Sequence, residues 1–327
     1  MKTKHFPILF LLAALLFSCS NQWHSGDKNP PSGYLNTTLL KAAYFVGLLE
    51  LVDTNPPIPA EISEFKDIEY KNIEGKSLKL DIYRLKNLQT PAPVLIFIHG
   101  GGWRKGKKED YLKYLLDFAE CGYITATISY RLLPEFPYPA AIEDAKCAVR
   151  WIRFHAPEYG IDPDKIAVIG GSAGGHLSMM IGYTGDHSEF DHDCSKDSIS
   201  SRVQAVVNLY GPVDLTTEYA HNHPTTLAFL KTTYAENPDI FEKASPKTYI
   251  SDDDPPTLTF QGVIDELVPV SQADSLHVWL QRAGVESEYH RLDGWPHTMD
   301  LAKPVNDYCQ YYMLKFFEKH VPISTRK

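Results

Sequence analysis

Three side chains of this 327-residue sequence, Ser172, Asp265 and His297, have the types and the chain order that suit nucleophilic attack on a carbonyl carbon. A serine hydroxyl is a weak nucleophile until an imidazole takes its proton. A carboxylate must then fix the imidazole in one tautomer and stabilise its charged form. Ser172 lies in Gly170-Gly171-Ser172-Ala173-Gly174, a G-x-S-x-G pattern that follows the apolar run Ile166-Ala167-Val168-Ile169. In that pattern the serine occupies a sharp strand-to-helix turn, where small neighbours leave the hydroxyl exposed at a helix N-terminus. Phosphate-cradling readings of the same glycines fail on the letters. His176 and Leu177 follow Gly175 where a Walker-type loop needs Lys and Ser/Thr, and no G-x-G-x-x-G frame fits.

The partners come later in the chain. Asp265 follows an apolar strand ending at Gln261, and His297 follows one ending near Leu292. Asp265 is preferred to its neighbour Glu266 because it matches the turn position of the pattern. Attack on a carbonyl builds negative charge on oxygen, which needs N–H donors aimed at it. His99-Gly100-Gly101-Gly102-Trp103 offers them, since glycines admit a substrate close to the backbone. The amides of Gly101, Gly102 and Ala173 are therefore the expected oxyanion hole. Trp103, Tyr138 and Trp295 are the expected substrate contacts, an aromatic platform for a sugar or a phenolic acyl group.

These groups require a frame that brings strand ends together. The apolar runs Val94–Ile98 and Ile166–Ile169 and the strand-like stretches Val203–Leu209 and Thr257–Gln261 alternate with helical patterns. The helices are expected after Ser172 and at Ala140–Phe154, Ser271–Ala283 and Val305–His320. Tyr123–Tyr130 and Ser287–Leu292 also read as strands, and Ser77–Tyr83 alternates like an antiparallel one. The alternation predicts an α/β fold with a mostly parallel sheet covered on both faces. In open sheets of this kind, chemistry collects at the carboxyl ends of the strands. The stretch from 214 to 255 is longer than an ordinary crossover and reads as a lid-like insertion. Leu35–Leu51 has helical apolar spacing and is expected to pack on the domain, with a lid element as the alternative.

A formal net charge of −9 and a pI near 5.8, without a Lys/Arg-rich stripe, argue against a nucleic-acid partner. The first residues read as a leader. Lys2 and Lys4 precede the apolar stretch Ile8–Phe17, which is too short to span a bilayer. The leader is expected to be residues 1–18, followed by a tether and N-terminal helix over 19–60. Leu16-Phe17-Ser18-Cys19-Ser20 is similar to a bacterial lipobox, which makes Cys19 the expected lipid attachment point. The bulk of Phe17 leaves ordinary leader cleavage and secretion as the alternative. Export, with membrane contact through a lipid anchor only, is the expected localisation.

Cys121, Cys147, Cys194 and Cys309 allow three pairings among which the spacing does not choose, although Cys147 falls in a helical apolar stripe and reads as simply buried. Asp186-His187, Asp191-His192-Asp193 and His221-Asn222-His223 provide no coherent set of four ligands, so no metal and no cofactor is expected.

The longer motifs carry a resemblance. They are F-I-H-G-G-G-W, S-Y-R-L-L-P-E-F-P-Y-P-A-A-I-E-D-A-K-C-A-V-R-W, Y-G-I-D-P-D-K-I-A-V-I-G-G-S-A-G-G-H-L, Y-G-P-V-D-L-T and A-S-P-K-T-Y-I-S-D-D-D-P-P. Together they resemble the α/β-hydrolases, within them the hormone-sensitive-lipase-like carboxylesterases, and most closely bacterial acetyl-xylan and feruloyl esterase-type members. The resemblance implies a hydrolase domain over residues 61–322. It further implies a serine esterase without cofactor, acting on a small ester or on xylan-type oligosaccharides through an acyl-enzyme. Two positions depart from the pattern, which usually has His at Gln261 and Asp at Val263. Trp295-Pro296 also replaces the commoner small residue and Gly before the His. A kynurenine formamidase-like amide hydrolase and an inactive carbohydrate-binding lipoprotein are the competing expectations. Export opposes the first, and an intact set of Ser, Asp, His and oxyanion glycines opposes the second.

Overall fold

The computed structural model describes residues 29–324 apart from 74, 186, 193 and 195–197. The expected leader, Cys19, Asp186 and Asp193 lie outside the described residues. Eight strands form one sheet: β1 (Ile62–Ile73), β2 (Lys76–Leu85), β3 (Ala92–Ile98), β4 (Ile124–Ile128), β5 (Ile161–Gly171), β6 (Ala205–Leu209), β7 (Thr257–Gly262) and β8 (Ser287–Leu292). Their order is β1-β2-β4-β3-β5-β6-β7-β8. The β1–β2 and β2–β4 pairs are antiparallel and the other pairs are parallel.

The six main helices are α1 (Thr37–Phe45), α2 (Leu112–Glu120), α3 (Ala140–Phe154), α4 (Ala173–Tyr183), α5 (Val270–Ala283) and α6 (Lys303–His320). All seven residues of β3 are buried, which is why that strand reads as an unbroken apolar run. Its side chains alternate between two cores. Val94, Ile96 and Ile98 join residues of α3, α4 and α5, whereas Leu95 and Phe97 join residues of α2 and α6. The sheet is thus covered on both faces, as the alternation of patterns predicts.

The S-Y-R and E-D segments of the long motif meet as a buried ion cluster. Arg131 Nε donates to Asp144 at 2.8 Å, its Nη2 donates to Glu143 at 2.9 Å, and Lys71 Nζ donates to Asp144 at 2.8 Å. The cluster ties α3 to the chain leaving β4 and to edge strand β1. Cys147 is not simply buried: it is bonded to Cys194, with Cα atoms 5.5 Å apart, and Cys309 is a buried free thiol. The disulfide fastens α3 to the stretch after α4. Asp191 pairs with the buried Lys146 at 3.0 Å and Arg150 at 2.6 Å, so it serves as a counter-ion in the fold.

The N-terminal helix differs from expectation. It covers Thr37–Phe45 rather than the whole of Leu35–Leu51, and Ala43 is its one buried residue. Leu35, Phe45, Val46 and Leu48 face solvent. What docks is the chain on either side of α1. Tyr34 N donates to Gly294 O and Val52 N to Leu301 O, both at 2.9 Å, and Lys303 N donates to Glu50 O at 2.9 Å. The segment therefore clasps both flanks of the loop that carries His297.

Candidate active site

Ser172 sits between β5 and α4 with φ 56° and ψ −121°, a backbone conformation that non-glycine residues seldom hold. The turn is pinned by Ser172 N donating to Leu209 O at 2.8 Å and His176 N donating to Ser172 O at 3.0 Å. The surrounding glycines answer to space. A Cβ on Gly170 would lie 2.3 Å from the backbone of Gly174, and one on Gly174 would lie 2.0 Å from Ile98 O. Helix α4 can start directly over β3 and β5 only because neither position has a side chain.

The structure brings the three side chains together. Ser172 Oγ and His297 Nε2 are 2.9 Å apart, and His297 Nδ1 and Asp265 Oδ2 are 2.7 Å apart. Asp265 is acceptor-only when ionised, so Nδ1 carries a hydrogen and donates, leaving Nε2 free to accept from the serine hydroxyl. The Asp265 side chain is fully buried and that of His297 nearly so, while Glu266 is exposed. Each carboxylate oxygen has two donors. Oδ1 accepts from Leu267 N at 2.8 Å and Val268 N at 2.9 Å, and Oδ2 accepts from His297 and from Gln261 Nε2 at 3.0 Å. Four donors hold this acid in one orientation.

Gln261 is the position where the sequence departs from the pattern, and it proves to touch the acid directly. Gln261→Leu removes one of the four donors. A lost hydrogen bond of about 1 kcal/mol corresponds to a fall in kcat on the order of fivefold, with KM unchanged. Steady-state kinetics on p-nitrophenyl acetate check this.

The Gly101–Gly102–Trp103 turn lies beside the serine. All three residues have positive φ, and a Cβ on Gly100 would come within 2.6 Å of Gly171 O. Among the described residues, the N–H groups of Gly101, Gly102 and Ala173 make no loop or cap hydrogen bond to the backbone. Ala173 is the first residue of α4, where N–H groups lack intrahelical acceptors. The arrangement can deliver a hydroxyl nucleophile, a proton acceptor and unpaired donors to one carbonyl.

Of the three expected aromatic contacts, Trp103 and Trp295 are buried and Tyr138 is half-buried. Trp103 and Tyr138 both pack on Phe229, Trp103 face to face at 4.1 Å and Tyr138 edge-on at 5.8 Å. Trp295 belongs to the core on the opposite face of the sheet. It is 1% exposed, its indole N–H donates to Pro31 O at 2.9 Å, and Tyr34 packs edge-on against it. Two residues from His297 in sequence, it points into the N-terminal clasp and has no surface for a substrate. Trp103 is itself 4% exposed, so it forms part of a wall rather than a stacking face. That wall includes the 214–255 insertion, whose Pro224–Leu230 helix carries Phe229 and places Thr225 against Gly102.

His176, four residues beyond the serine, is buried with Nε2 donating to Ala244 O at 2.8 Å and Nδ1 unpartnered. Burial pushes its pKa down to about 4. A histidine in an unfolded chain titrates near 6.5, so between those values the unfolded state binds the extra proton. The resulting stability is complete above pH ~6.5 and is lost as pH falls towards 4, up to about 3 kcal/mol. Urea midpoints measured from pH 7 to 4.5 should fall less steeply for His176→Gln than for the parent. Identical slopes would remove His176 from the acid sensitivity.

The BD-FAE family model matches residues 80–280. Among curated relatives, a probable carboxylic ester hydrolase, LipM, of Mycobacterium tuberculosis is 37% identical over 72% of this chain and 56% of its own length. The chain spans 56% to 64% of the length of the first curated relatives it matches. Among solved structures, a truncated form of a carbohydrate esterase from gut microbiota aligns with 25% identity and a TM-score of 0.68, covering 80% of this chain and 99% of that one. A bifunctional GH43-CE protein of Bacteroides eggerthii aligns with 28% identity and a TM-score of 0.70, covering 78% of this chain and 38% of that one. The fold, the matched span and these relatives agree: the chain belongs to the BD-FAE family of α/β-hydrolases.

Proposed function

We propose that this protein is an exported serine carboxylesterase that removes short acyl groups, acetyl first, from xylan or its oligosaccharides. One observation carries the reading: the unbroken hydrogen-bond chain from Ser172 Oγ through His297 to Asp265. The hydroxyl gives its proton to His297 Nε2 as oxygen attacks the ester carbonyl. The amides of Gly101, Gly102 and Ala173 receive the developing oxyanion. His297 then returns the proton to the departing sugar hydroxyl, leaving an acyl group on Ser172. Water repeats the sequence, with His297 as base, to release the acid and restore the serine.

Family membership and the two solved relatives named for carbohydrate ester chemistry support the choice of substrate class. The preference for short acyl groups rests on bulk beside the oxyanion turn. Trp103 and Phe229, stacked at 4.1 Å, wall that side. A pocket narrowed in this way excludes a larger acyl group by overlap. The test is kcat/KM for p-nitrophenyl acetate, butyrate and octanoate alongside methyl ferulate and acetylated xylan. Acetyl esters should rank first. A higher value for methyl ferulate than for every acetyl ester would overturn the short-acyl preference and leave the esterase reading standing. Export is supported by the Lys–apolar–Cys order of the first 19 residues. Mass spectrometry of the mature protein should find an acylated Cys19 at its N-terminus, and an unmodified N-terminus at Ser20 or later would replace the anchor with secretion.

A further inference from the structure

Asp300 is a buried carboxyl that the serine–histidine–aspartate chain leaves unused. It lies three residues beyond His297 and is 4% exposed. One oxygen accepts a hydrogen bond from the Tyr210 hydroxyl, and the other lies 3.5 Å from the hydroxyl of Tyr114 on α2. Tyr210 follows β6 with φ 46°, left-handed backbone that a bulky residue rarely holds, and its N–H is fixed on Phe260 O at 2.9 Å. The ring of this same tyrosine packs edge-on against the imidazole of His297, with centroids 4.7 Å apart. Behind Asp300, Asn306 Nδ2 donates to its backbone carbonyl at 3.1 Å, and Gln310 donates to Asn306 Oδ1 at 2.6 Å and to Asp117 at 2.8 Å.

A buried carboxylate is unfavourable unless something compensates its charge. Among the described residues Asp300 makes no salt bridge. The titratable groups that face it are Tyr210, Tyr114, Tyr111, the Cys309 thiol on α6 and His297. Only His297 becomes a cation during the proposed reaction. Burial pushes the Asp300 carboxyl up from its ordinary value, while the Tyr210 hydroxyl and the charge of His297 pull it back. Given the assignment of His297 as the base, we infer that Asp300 and Tyr210 form an outer support for that histidine. Asp300 supplies a second negative charge that stabilises the imidazolium, and the Tyr210 ring fixes the imidazole plane. Both are positioning residues that act through His297.

The acid limb of kcat/KM against pH reports the base in the free enzyme. A nearby negative charge favours the imidazolium, so its removal moves that limb to lower pH. With p-nitrophenyl acetate, Asp300→Asn should move the acid limb about 0.5–1 unit towards lower pH and reduce kcat on the order of tenfold, with KM little changed. Tyr210→Phe keeps the packed ring but withdraws a donor from Asp300, pushing that carboxyl towards its neutral form. It should shift the limb in the same direction by less, and it carries the test alone where Asp300→Asn does not accumulate folded. An acid limb that stays in place, or moves to higher pH, would overturn the inference, since loosened packing alone lowers kcat without moving it. The His297→Ala enzyme separates the two claims. If it is inactive while the limb is immobile in the Asp300 and Tyr210 variants, only the outer support falls. If it keeps parental turnover, the base assignment falls and the support with it.

Discussion

Ser172→Ala should lower kcat for p-nitrophenyl acetate by about 10⁵-fold or more while leaving the thermal unfolding midpoint close to that of the parent. The size follows from the geometry. Ser172 Oγ is the hydroxyl placed 2.9 Å from the proton acceptor, and without it no covalent intermediate can form. What remains is the catalysis that unpaired amides and binding provide alone, typically 10³–10⁴-fold over water in enzymes of this chemistry. Stability should barely change because the hydroxyl supports no other part of the fold. The strained turn is held by the backbone of residue 172, through Leu209 O and His176 N, and alanine keeps both bonds. A variant that retained a tenth of parental turnover would remove Ser172 from the reaction.

The second large effect belongs to His297. His297→Ala should cost nearly as much as loss of the serine, because an unactivated hydroxyl at neutral pH is a poor nucleophile. The informative measurement is the double variant. Two residues that work as a unit are strongly non-additive, so Ser172→Ala with His297→Ala should be no slower than either single variant within about tenfold. If the two losses multiplied, the residues would be acting independently, and another of the 13 histidines would need to be sought as the base.

The parts of this molecule that were legible in its sequence are those in which local pattern and tertiary role coincide. Strand β3 and the Ile166–Ile169 part of β5 are buried on both faces, so their apolar runs are continuous and mark them plainly, whereas β6 and β7 are equally buried but interrupt their apolar residues with Asn208, Thr257, Thr259 and Gln261. The G-x-S-x-G and His-Gly-Gly-Gly segments are legible because close backbone approach forbids side chains there. Strand β1 was not expected. It is an edge strand with a polar outer face and two register shifts against β2, so its pattern Ile-Ser-Glu-Phe-Lys-Asp-Ile-Glu alternates poorly. Helix α2 carries a usable stripe in Leu112, Leu115, Leu116 and Ala119, all buried.

Other features have no local signature at all. The Cys147–Cys194 bond joins residues 47 apart, and the contact between Tyr210 and Asp300 joins residues 90 apart. None of these residues carries a local mark of its partner. Trp295 shows the opposite failure. Its closeness to His297 in sequence suggested a shared site, but the loop turns between them, and the indole is drawn into the clasp made by Pro31 and Tyr34. Leu35–Leu51 misleads in a similar way. Helical spacing of apolar residues reports a tendency to form a face, not that the face is covered, and here most of it is exposed.

The central claim, that Ser172 is the residue acylated during turnover, is tested most directly by trapping the intermediate. The protein is mixed with excess p-nitrophenyl butyrate, quenched in acid within milliseconds, digested and examined by peptide mass spectrometry. The account predicts a burst of one nitrophenolate per active site and a butyryl group on Ser172 in the peptide that contains Gly170-Gly171-Ser172-Ala173-Gly174. Full turnover with that peptide unmodified, or with the acyl group on another side chain, would contradict it.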